Sequence, residues 1–315
     1  MAPKPAPNKD RQTQKRSSNH DTEGKAQAHS NESSNAGKKR KAPKDDAEPV
    51  KSQRRSGRAN AKPSQKQLLG FLLSREAEDL TRPDDERKDI EERGEIKTYS
   101  SAVLNPFEEL LCAIVLSRPI SHRLGLRTIR TVLNEPYNFT SAKAVQDAGS
   151  EKQHQALWDA RTQHKDKTAQ QLGELADVIL EKFTSKDDAG GKELGKALEK
   201  GDVDAIKQAL KSSIKGLGVT GLDIFFRRVQ WLWDKIFPYT DGRTADSLRK
   251  FELPYEPEQL VEAIDTHWKD LETKTVAGED EAQKKRRAFV IILERVTGAD
   301  LEGKVETILS HASQA

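Results

Sequence analysis

The chain has 315 residues, 54 of them Lys or Arg and 51 Asp or Glu, for a formal net charge of +3. Its single cysteine, Cys112, excludes an intramolecular disulfide, a Cys-rich zinc site and a Cys-ligated iron–sulfur cluster. With no run of about 18 apolar residues to span a membrane and no apolar h-region at the start, the expected setting is intracellular and reducing.

The charge is unevenly spread. Residues 1–67 carry 17 Lys+Arg against 7 Asp+Glu and few large apolar side chains, so this segment buries too little surface to offset chain entropy and reads as a disordered basic tail. Lys38-Lys39-Arg40-Lys41 and then Lys51, Arg54, Arg55 and Arg58 form two basic clusters. They match a bipartite nuclear-import signal, with the import machinery as partner and the nucleus as location. The same residues also suit a solvated linker, or non-specific attraction to nucleic acid. From Leu68 onward the balance reverses, to 37 basic against 44 acidic residues. That leaves enough chain for one large domain or two lobes.

Beyond the tail the periodicity is helical and the fold class is all-α. Asn105 suits an N-cap and Pro106 the first helical position. Phe107, Leu110, Leu111, Ile114 and Val115 then make one apolar stripe. From Leu110 to Asn134 there is no Asp or Glu, but there are Arg118, Arg123, Arg127 and Arg130. The last three share a helix face and read either as a phosphate-contacting stripe or as an ordinary solvated face. Leu172, Leu175, Ala176, Ile179, Leu180 and Phe183 form a second stripe, and Thr184–Gly191 reads as a loop. Leu222, Phe225, Phe226 and Val229 form a third, continued by Trp233 and Ile236. After a loop at Lys274–Asp280 come Phe289, Ile292, Leu293 and Val296, then Leu301, Val305, Ile308 and Leu309. Lys284-Lys285-Arg286-Arg287 is a further basic run that suits a solvated helix face.

The most informative segment is Leu210–Val229. A helix runs into Lys215-Gly216-Leu217-Gly218, and a second helix is predicted to start near Gly221. Glycines admit positive φ and close approach of a ligand to the backbone. The amides that open the second helix form a ready phosphate site. Lys207, Lys211 and Lys215 make one face of the first helix basic. The Gly-x-Gly turn also fits a plain αα-hairpin, but the flanking Ile214, Leu217 and Leu222 make a helix-hairpin-helix more specific. Phe237-Pro238-Tyr239-Thr240-Asp241-Gly242 follows. There Asp241 suits a helix N-cap, and a carboxylate so held also suits stabilising an oxocarbenium-like sugar cation.

Taken together, Pro106–Leu111, Leu116-Ser117, the hairpin and the loop ending in Asp241 resemble the helix-hairpin-helix/Gly-Pro-Asp DNA glycosylase superfamily, endonuclease III-like, over about Asn105–Pro254. The resemblance implies a six-helix lobe over 105–240 and a second lobe from 68–104 with 241–315. It implies double-stranded DNA, damaged DNA included, as the partner of a monomeric protein. It further implies Asp241 as catalytic carboxylate; DNA contacts are expected at Lys211, Lys215, Gly216, Leu217, Gly218, Thr220 and Gly221 of the hairpin and, from the charge pattern, at the four arginines. The carbonyls of Ile214, Gly216 and Val219 would hold a monovalent cation, K+ or Na+.

The sequence also departs from that family. Thr220 stands where bifunctional members place their Schiff-base lysine, so lyase chemistry by that route is not expected. Val115 stands at the adenine glycosylases' Glu and Pro119 at the gap-filling Gln. The expectation is a monofunctional N-glycosylase of base-excision repair. The alternatives are a non-catalytic DNA-binding or lesion-sensing protein and a helical interaction scaffold without DNA contact.

Overall fold

The computed structural model describes residues 62–100, 103–184, 188, 192–199 and 202–315. Both basic clusters of the tail lie outside the described residues. The described residues begin before the predicted boundary at residue 67. Ser64 and Gln67 close a capping box, each side chain bonding the other's backbone amide. Leu68, Leu69 and Leu72 are buried immediately after it.

Among the described residues every element is helical. The order is α1 (Gln65–Leu73), α2 (Arg75–Thr81), α3 (Asp84–Arg93), α4 (Pro106–Leu116), α5 (His122–Leu133), α6 (Ala142–Asp159) and α7 (Lys165–Lys182). Then come α8 (Lys192–Glu199), α9 (Val203–Ser213), α10 (Val219–Val229), α11 (Gly242–Lys250) and α12 (Pro257–His267). A 3-10 turn at Trp268–Asp270 precedes α13 (Glu281–Leu301) and α14 (Val305–Ala312).

Local sequence explains the boundaries. Asn105 caps α4 through a box with Glu108, and Pro106 fills the first turn, where a missing amide costs nothing. Among the described residues seven helices fall between Pro106 and Val229, against the six expected over 105–240. α10 starts at Val219, two residues before the expected Gly221, and it stops at Val229. Trp233 and Ile236 are buried from turns rather than from a continued helix. Lys274–Asp280 is a loop as predicted, pinned by buried Val276.

Two hydrophobic clusters organise these helices. The first is built from Tyr99 through Ile236 and centres on Phe107, Leu110, Ile114, Leu172, Phe225 and Phe226. The second joins Leu68–Ala77 to Leu248–Ala312, centred on Leu72, Leu248, Phe289 and Leu293. Each large side chain buried here contributes roughly 1.5–3 kcal/mol of transfer free energy. α10 packs on α4 and also touches α13, so it reaches from the first cluster to the second.

Candidate nucleic-acid interface

The turn between α9 and α10 is shaped by two buried anchors and two glycines. Ile214 and Leu217 are each 2 % exposed, and the Leu217 amide donates to the Ile214 carbonyl at 3.2 Å. Gly216 between them has φ +90°, which an L side chain rarely adopts. Gly218 is the N-cap of α10 and supplies no side chain to the first-turn amides, and a Cβ there would meet open space. Val219 is 63 % exposed and Thr220 is exposed. The positive end of the α10 dipole therefore faces outward, uncapped by any side chain. Gly221 is buried for a different reason: a Cβ there would lie 2.8 Å from Leu217 Cδ1 and 3.4 Å from Ser117 Oγ, so its smallness seats α10 on the end of α4.

The basic residues expected beside this turn divide sharply. Lys211 and Lys215 are exposed, Lys215 with only a loose pairing to Glu174 at 3.7 Å. Lys207 lies instead over the rings of Phe226 and Tyr239. The expected stripe of Arg123, Arg127 and Arg130 is corrected by the structure. Arg130 is 1 % exposed and donates to Asp85, Glu86 and Asp89 of α3, out of reach of any phosphate. Arg127 donates to the carbonyls of Ala160 and Arg161 beyond the end of α6. Arg123 is exposed but pairs with Glu302 at 2.8 Å. Arg118 points elsewhere: its Nε donates to the Ile114 carbonyl and its Nη2 to the Gly216 carbonyl at 3.3 Å, which brings it to the hairpin.

That contact bears on the cation expected at Ile214, Gly216 and Val219. The Ile214 carbonyl already accepts from Leu217, and the Gly216 carbonyl faces a guanidinium. A positive charge fixed against one of the three carbonyls does not fit a monovalent cation at the same place.

Asp241 is 7 % exposed and caps α11. Its Oδ1 accepts from the Thr244 amide at 3.0 Å, and its Oδ2 from the Thr244 hydroxyl and from Arg227 Nη1, both at 2.8 Å. Burial opposes ionisation, but the Arg227 guanidinium and the Thr244 donors outweigh it and hold the carboxyl below the usual range. The preceding loop is fixed by Gln230, which bonds Tyr239 through both its amide nitrogen and its oxygen.

Arg227 bridges Asp241 to Glu294, with Nε 2.6 Å from the Glu294 carboxylate. Its neighbour Arg228 forms a two-pronged pair with Glu109, both bonds 2.9 Å and both residues buried. This ionic layer is a feature that sequence reading misses. Arg227 and Arg228 interrupt no stripe, and Glu109 stands in the first turn of a capped helix, where acidic residues are ordinary.

A cavity of about 160 Å³ opens beside the layer. Leu116, Ile120, Leu126, Ile224 and Leu301 line it, and Arg227, Glu294 and Thr297 are among its polar lining residues. Asp241 is not part of this lining. It lies behind Arg227 and Thr244, and Thr244 in turn touches Thr297. Val115 is fully buried in the first core, and Pro119 is exposed between α4 and α5. Comparison of the chain with family models, with curated proteins and with solved structures gives no match.

Proposed function

We propose that this chain binds double-stranded DNA through the α9–α10 hairpin, on a frame related to the helix-hairpin-helix glycosylases, and that Asp241 serves as a structural cap. The observation that carries the reading is the exposed N-terminus of α10, which lacks a side-chain cap, behind Gly216 at φ +90° and flanked by exposed Lys211 and Lys215. Amides aligned with a helix dipole, with cations beside them, are what a backbone phosphate needs. The structural role of Asp241 is supported by its partners: three hydrogen bonds, one of them from the Arg227 guanidinium, engage both carboxylate oxygens. The two basic clusters of the tail fit delivery to the nucleus.

The test is fluorescence anisotropy of a labelled duplex titrated with the full chain. The double substitution Gly216→Asp plus Gly218→Asp should abolish retention. Undiminished binding by that variant would overturn the reading.

A second reading, the monofunctional glycosylase, is favoured by the cavity itself. Arg227 and Thr297 line it, and Arg227 and Thr244 hold Asp241. A displaced Arg227 would bring the carboxylate to a flipped base's sugar. Incubation with a panel of lesion duplexes followed by alkali would yield strand breaks under this reading, lost in Asp241→Asn. Absence of product from every lesion keeps the binding reading alone.

A further inference from the structure

Gly216 is approached from two sides. A Cβ built on it would lie 2.0 Å from Gln171 Nε2 and 3.0 Å from Arg118 Nη2, so donors from α7 and from the end of α4 meet on the one face of the loop that carries no side chain. Gln171 is 5 % exposed and its Oε1 has no hydrogen-bond partner among the described residues. The unsatisfied end of the amide is thus its acceptor, whereas Nε2, its donor end, is the atom that packs against Gly216.

Arg118 is the complementary half. Both of its hydrogen bonds end on neutral carbonyls, Ile114 and Gly216. Arg123 and Arg130 each reach carboxylates, whereas no carboxylate pairs with Arg118 among the described residues. Partial burial alone lowers its pKa, with no anion to oppose the shift. A guanidinium partly withdrawn from water and answered only by carbonyls is electrostatically incomplete until an anion arrives.

Resting on the reading of the hairpin as the DNA-binding element, we propose that Arg118 and Gln171 complete its phosphate site, donating to the same DNA phosphodiester that the α10 amides receive. Lys215 joins them on the α7 side, through its loose pairing with Glu174, one turn along from Gln171. Gly216 is required there because a Cβ would collide with the Gln171 amide and crowd Arg118, displacing both donors.

The experiment measures the affinity of the full chain for a labelled duplex across a range of KCl concentrations, with melting curves to verify that each variant is folded. Arg118→Ala should weaken binding about tenfold, as expected for one charge-assisted contact, and flatten the log–log salt slope by about 0.9, one phosphate's worth. Gln171→Leu should weaken binding without changing the slope, since the lost donor is neutral. Gln171→Glu should weaken it more than either, because the new carboxylate captures Arg118. Arg123→Ala, whose guanidinium is already held by Glu302, should change neither affinity nor slope.

The proposal is overturned if Arg118→Ala and Gln171→Glu match the parent in affinity and slope while Gly218→Asp abolishes binding; that outcome leaves the hairpin reading intact. Binding insensitive to Gly218→Asp overturns both. Inorganic phosphate is the second arm. If it raises the melting temperature through Arg118 while duplex is not bound, a free phosphate is the ligand and the DNA assignment falls.

Discussion

The two ends of α10 lie in cationic regions of opposite character. At its N-terminal end, exposed amides and the nearby Lys211, Lys215 and Arg118 have few anionic partners. Two turns further along, Arg227 and Arg228 are buried and each is locked to carboxylates, Asp241 and Glu294 for one and Glu109 for the other. Cationic side chains thus do different work at the two ends of one helix. A cation whose partner is built into the fold is neutralised and structural. A cation or dipole end without such a partner is charge-deficient and suited to an external anion.

The largest effect that would break this comparison lies in the buried layer. Arg228→Met leaves Glu109, which is fully buried, without its partner, and should cost about 3–5 kcal/mol in urea unfolding. Adding Glu109→Leu removes the stranded charge and should restore most of that loss, because a well-packed apolar pair rivals a buried ion pair. A single substitution as mild as the double would mean that the pair's charge is not what the layer depends on.

The hairpin end gives a smaller effect on stability and a larger one on binding. Gly216→Ala puts a Cβ at φ +90° against Gln171. The backbone strain alone should cost about 1–3 kcal/mol, measured by thermal unfolding, together with loss of duplex retention. Combining it with Gln171→Ala relieves the clash and leaves the φ strain, so the double substitution should recover only part of the stability.

Much of the helical frame was legible because its signals are local. The Asn105-Pro106 start and the Phe107–Val115 stripe are fixed by capping and a 3.6-residue period, and both stand in the structure. The glycine turn at 215–218 was legible for the same reason. The fate of the arginines was not. Arg123, Arg127 and Arg130 share a helix face, but what each meets depends on α3, α6 and the end of α13, elements far away in sequence. Asp85, Glu86 and Asp89 carry no local sign of a partner, and only the docking of α3 on α5 buries Arg130 among their carboxylates. Asp241 was legible as a cap, whereas Arg227 beside it was not, since nothing local pairs residues fourteen apart across a turn. Gln171 gave no signal at all, being one polar residue beside the apolar Leu172 stripe.

The smallest expected effect sharpens the comparison where a charged contact links α5 to the end of α13. Glu302 accepts from His122 at 3.0 Å and from Arg123 at 2.8 Å. The His122 bond, aided by Arg123 and opposed by burial, lowers its carboxyl from 4.5 to about 2. A carboxyl depressed in the folded state contributes stability that is full above its unfolded value and is lost as pH falls through the folded one. The Glu302→Gln variant should therefore be less stable than the parent at pH 7, by about 1 kcal/mol once solvent screening of the exposed Arg123 is allowed for. The gap should close as the pH falls from about 4.5 toward about 2. Because Arg123 is already answered by Glu302, freeing it in this variant adds one exposed cation near the cavity. If anisotropy then shows a steeper salt dependence of duplex binding, Arg123 has passed from the structural class to the anion-seeking one by the loss of a single carboxylate. An unchanged slope would mean that position, as well as a missing partner, separates the two regions.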